Sequence, residues 1–97
     1  DHVDSSRWLS YFIAKKLNKT QLKEFYAFAN SKGVFLRPFW VPMHRQPPYK
    51  KCLSSSVKNS SKIFSKVITL PSSTSLKVSD LKYVTTIINT YLNKLDE

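Results

Sequence analysis

With 97 residues, 41% of them hydrophobic and 13% aromatic, the chain has material for one small domain with a core. Its formal charge is +10, from sixteen Lys and Arg against six Asp and Glu, and most of the cations are lysines scattered along the whole length. One glycine, Gly33, and one cysteine, Cys52, exclude a glycine-rich phosphate loop, an internal disulfide and a cysteine-based zinc site.

From the N-terminus, DHVDSSRW lacks the cationic start and apolar core of a signal peptide, and with no initiator Met the chain reads as an excised piece. No apolar run reaches the roughly 18 residues that a membrane span needs. A lone cysteine suits a reducing compartment, so the expected location is cytoplasmic. Residues 7–14, RWLSYFIA, form a nearly unbroken apolar run and predict a buried strand. Asn18 with Gln21 three residues later has the pattern of a capping box and opens a helix over 19–32. Leu22, Phe25, Tyr26 and Ala29 give that helix one apolar stripe, and Gly33 stands where a left-handed C-cap would close it.

Val34–Trp40 predicts a second strand running into a proline-rich stretch. Pro38 and Pro42 cannot donate to a sheet ladder, so this is no ordinary central strand, and Arg37 and Val41 before them are pushed to extended conformations. A stiff extended segment with Trp40 and His44 four apart would present polar tips beside an apolar wall, as a binding edge does. Pro47, Pro48 and Tyr49 then turn the chain. Cys52–Ser61 reads as a polar loop leading to a short helix that reaches Phe64. Lys66–Leu70 is a third short strand ended by Pro71. Ser79 is the expected cap of a closing helix with Asp80 in its first turn, and Leu81, Val84, Ile88, Tyr91 and Leu95 recur at three and four along it.

The order strand, helix, strand, short helix, strand, helix predicts a single two-layer α/β (α+β) domain over residues 1–97. About three strands would pack against two long helices and one short one. Phe12, Phe35, Phe39 and Trp40 exceed what two helices cover, which predicts a sheet face docked on something else.

From Arg37 onward the chain resembles the C-terminal domain of the DegT/DnrJ/StrS-type sugar aminotransferases, pyridoxal-phosphate enzymes of the fold-type I class. The motifs are Arg37-Pro38, Trp40-Val41-Pro42-Met43-His44, Gln46-Pro47-Pro48-Tyr49 and Leu70-Pro71-Ser72-Ser73, followed by a terminal helix opened by Asp80. The preceding helix and Gly33-Val34 also fit. Ser60 and Lys66 depart from the family, where alanine and arginine are usual. The resemblance implies a homodimeric enzyme moving an amino group, usually from glutamate, onto a nucleotide-linked keto-sugar. In the family the aldimine-forming lysine and the phosphate loop lie in a preceding large domain, so this chain alone would bind no cofactor and have no activity.

The resemblance also implies that residues 36–49 line the mouth of the active site. Arg37 is suited to a bidentate bond with phosphate or carboxylate, and Trp40 to stacking on a base or sugar. His44 and Tyr49 are suited to hydrogen-bonding the substrate. Each has a plainer role: a surface salt bridge or a cation stacked on Phe39 or Trp40 for Arg37, a core or interface anchor for Trp40, a satisfied structural position for His44, and turn packing for Tyr49. No catalytic residue and no metal site is expected. The alternative is a small basic nucleic-acid-binding module, supported by the charge and the aromatics. Against it, the chain has no RNP-like or GXXG signature, and the aromatics fall inside strand and helix patterns.

Overall fold

The central strand β3 is only three residues long, Val67–Thr69, yet it joins the other two strands. In the computed structural model, which describes residues 2, 4–6 and 8–96, β1 (Tyr11–Ile13) and β2 (Arg37–Pro38) flank it antiparallel, in the order β1-β3-β2. Phe12 and Pro38 both lie opposite Ile68, and Tyr11 and Arg37 both lie opposite Thr69. Ile68 is fully buried, as β-branched residues on a middle strand are best placed to be. Pro38, which lacks an N–H, sits at a sheet edge where none is needed.

Both outer strands are shorter than their apolar runs. A ladder extends only as far as its partner, and β3 runs into Pro71 two residues past Thr69. Backbone bonds from Leu70 to Ser10, from Ala14 to Lys66 and from Phe39 to Val67 mark where the pairing gives out. The buried strand expected at 7–14 is therefore corrected. Arg7 lies outside the described residues, β1 is an edge strand, and Trp8 and Tyr11 are 72% and 59% exposed.

Helix α1 (Lys19–Ser31) forms as its ends dictate. The Asn18 side chain accepts from the Gln21 N–H at 3.0 Å, and the Gln21 side chain accepts from the Asn18 N–H at 2.9 Å, closing the capping box. At the other end Gly33 takes φ 74°. The Val34 N–H reaches back to Ala29 and the Gly33 N–H to Asn30, the paired bonds of a Schellman closure. Val34 and Ala29 are both buried there, so the helix stop is also a core contact.

After β2 come two single 3₁₀ turns, Met43–Arg45 and Pro47–Tyr49, and then α2 (Lys58–Ile63), which has no side-chain cap. The closing helix α3 spans Val78–Asp96. Its expected cap is corrected: Ser79 is the helix's second residue. The Asp80 carboxylate instead accepts from the Lys77 N–H at 2.8 Å, while the Lys77 carbonyl takes the first helical bonds.

The core lies between α1, α3 and one face of the sheet. Phe25 is fully buried, with its ring centroid 4.9 Å from Tyr91 and 6.2 Å from Phe12. The Tyr91 hydroxyl donates to the Gln21 carbonyl at 3.0 Å, and the Tyr83 hydroxyl to the Lys32 carbonyl at 2.9 Å, tying α3 to both ends of α1. Ile87 and Tyr91 are buried on α3, whereas Leu81 and Leu95, outer members of its predicted stripe, stay exposed. The result is a small α+β domain in two layers, with every strand pair antiparallel. Its radius of gyration is 15.8 Å, against about 13 Å for a compact chain of this length.

Candidate functional site

Side chains directly opposite one another in a sheet share a face, and successive ones alternate. Phe12 and Ile68 belong to the helix-covered face, which puts Tyr11, Thr69 and Arg37 on the other. Ile13, Val67 and Phe39 follow two residues on. A run of aromatic rings starts on this face at Tyr11 and Phe39 and continues through Trp40 to Trp8, both outside the strands. Trp8 and Trp40 stand 5.8 Å apart, Trp40 and Phe39 5.6 Å, and Phe39 and Tyr11 6.3 Å. Trp40 is 60% exposed, close to Trp8 and Tyr11 in that respect. Rings at these separations attract one another, but not enough to account for so much apolar surface in water.

Arg37 and Trp40 line one cleft of about 260 Å³ beside this face, with Phe35, Leu70 and Ser72. The Arg37 carbonyl accepts from the Thr69 hydroxyl at 2.9 Å, so its backbone is pinned to β3 while its guanidinium is exposed. A planar cation beside an indole can grip a phosphate or carboxylate and leave the indole to cover a ring.

His44 and Tyr49 lie elsewhere. They line a second cleft of about 490 Å³ with Met43, Cys52 and Ser60, and the two clefts share no lining residue. His44 is half-buried with Nε2 3.0 Å from the Ser61 hydroxyl, and Arg45 lies over the Phe64 ring at 4.8 Å. These contacts fold residues 42–49 back onto α2. The extended ribbon expected to carry Trp40 and His44 side by side is corrected. Pro42 is extended (ψ 139°), but the Arg45 N–H bonds to its carbonyl, and the Gln46 side chain donates to Val41 at 2.8 Å. The chain is coiled from Met43 onward. The four candidate residues thus fall into two pairs, Arg37 with Trp40 and His44 with Tyr49.

Trp8 is the residue that sequence reasoning passed over. Its local signal was an apolar run, which cannot show that it meets Trp40. Cys52 is exposed at the edge of the His44 cleft. Among the described residues no group of three or more His, Cys, Asp or Glu gathers to hold a metal ion, and no helix is long and apolar enough to cross a membrane.

The model of the DegT/DnrJ/EryC1/StrS aminotransferase family matches residues 1–89. No curated protein matches the chain.

Proposed function

The chain belongs to the DegT/DnrJ/EryC1/StrS aminotransferase family, and from that premise we propose that it is the C-terminal domain of a pyridoxal-phosphate-dependent enzyme acting on a nucleotide-linked keto-sugar. In this reading its open sheet face docks on a preceding large domain and on a second subunit. The Arg37–Trp40 cleft meets the substrate, with glutamate as amino donor and the cytoplasm as location. The single observation that carries the reading is the exposed Trp8–Trp40–Phe39–Tyr11 run next to Arg37.

Pyridoxal phosphate, when bound, supplies the electron sink for amino transfer. A site for it needs a lysine near a carboxylate that faces the ring nitrogen. The lysine-lined cleft between α1 and the start of β3 holds no carboxylate, and the cleft that holds Asp80 holds no lysine. Among the described residues the linings of these two clefts do not fit the cofactor, and in this reading it sits in the large domain. Here the chain's task is to bind and orient. Arg37 would neutralise a substrate phosphate, Trp40 would cover a ring, and the docked aromatic face would keep water out. His44 and Tyr49 would act from the second cleft, with the Tyr49 hydroxyl as the available donor.

Steady-state kinetics of the chain joined to its cofactor-binding domain test this. Arg37→Ala and Trp40→Ala should each raise KM for the keto-sugar about tenfold or more and leave the KM for glutamate unchanged. Unchanged sugar KM in both variants would overturn the assignment.

A further inference from the structure

A cleft of about 600 Å³, a size typical of small-molecule sites, opens between the start of α1 and the start of β3. Leu17 and Leu22, both buried, line it together with Pro38 and the half-buried Tyr26. Three lysines also line it: Lys19, Lys23 and Lys66. Lys19 and Lys23 are one turn apart on α1, an arrangement in which like charges repel. No carboxylate lines the cleft, and none of these three lysines has an ion-pair partner among the described residues. Lys66 is held in place by donating to the Lys15 carbonyl at 2.7 Å, which leaves two of its N–H groups available. The Tyr26 hydroxyl, which burial keeps protonated to still higher pH than an ordinary tyrosine, is a further donor at the cleft.

We propose that this cleft binds a small ligand carrying a phosphate or diphosphate on an apolar ring or chain, a role that the reaction-chamber reading does not use. The three ammonium groups meet the phosphate oxygens, and Leu17, Leu22 and Pro38 cover the apolar part. The same apolar lining sets the cleft apart from a merely solvated lysine surface, which offers charge and no shelter.

The test is an NMR titration of the 97-residue chain with adenosine diphosphate, inorganic pyrophosphate and, at matched ionic strength, sodium sulfate. Adenosine diphosphate should shift the amides of residues 17–26 and 65–66 saturably, pyrophosphate should do so more weakly, and sulfate should not. Lys23→Gln, at an exposed position, should weaken adenosine diphosphate about three- to fivefold. Lys62→Gln, outside the cleft, should leave binding unchanged. The melting midpoint gives the same reading without assigned spectra, rising with adenosine diphosphate in the parent more than in Lys23→Gln. Pyrophosphate binding as tightly as adenosine diphosphate would overturn the apolar half of the proposal. Shifts that never saturate, or an equal loss in Lys62→Gln, would overturn all of it.

Discussion

Trp8 and Trp40 both lie outside the paired strands, Trp8 before β1 and Trp40 after β2, yet their ring centroids stand 5.8 Å apart. Each is mostly in water, at 72% and 60% exposure, so the pair contributes little to folding. A double-mutant cycle of Trp8→Ala and Trp40→Ala, read by urea unfolding, should give a coupling of about 0.5–1 kcal/mol. A coupling near zero would mean that the rings do not meet in solution.

The core makes the opposite prediction. Phe25 is fully buried and touches Phe12, Tyr26 and Tyr91 by its ring. Phe25→Ala should cost about 3–5 kcal/mol, a large share of what a domain this size has. Trp40→Ala should cost under about 1 kcal/mol. Denaturant midpoints for the two variants separate a buried aromatic from an exposed one, and similar losses would contradict the exposure pattern.

At the start of α3 the capping duty lies with a carboxylate, not a hydroxyl. Asp80→Ala should destabilise the domain by about 1 kcal/mol, because it removes both the bond to the Lys77 N–H and a favourable charge at the helix N-terminus. Ser79→Ala should stay within about 0.5 kcal/mol of the parent. Thermal midpoints of the two variants decide the matter; a larger loss for Ser79→Ala would restore the serine as the cap.

Alkaline pH gives a fourth test. Burial, helped by the nearby Glu24 carboxylate, raises the Tyr91 pKa above its ordinary 10.0, and burial raises that of Tyr26. A raised folded-state pKa means that the folded chain holds its proton longer than the unfolded one. The stabilisation is therefore fully present below about pH 10 and is lost as pH rises through the folded-state value. Urea midpoints from pH 8 to 12 should fall at the alkaline end, and Tyr91→Phe should flatten that fall. The variant should also lose about 1 kcal/mol at neutral pH with its bond to Gln21. An alkaline limb as steep as the parent's would remove Tyr91 as its source.

What could be read from the sequence was whatever closes within a few residues. Asn18 and Gln21 satisfy each other three positions apart, and Gly33 is the residue that tolerates φ 74° after a helix, so α1 was legible at both ends. Pro38 announced an edge strand by lacking an N–H, and the order of elements implied two layers. The tertiary structure alone decided where the strands stop, because β3 finds its partners some thirty and nearly sixty residues away and offers each only three positions. It also decided that Trp8 meets Trp40 and that His44 leaves Trp40 for Ser61. Proline explains that last divergence. It holds φ near a value shared by extended chain and 3₁₀ turns and leaves ψ to the surroundings. Residues 42–49 took the turns because α2 and Phe64 lay within reach of His44 and Arg45.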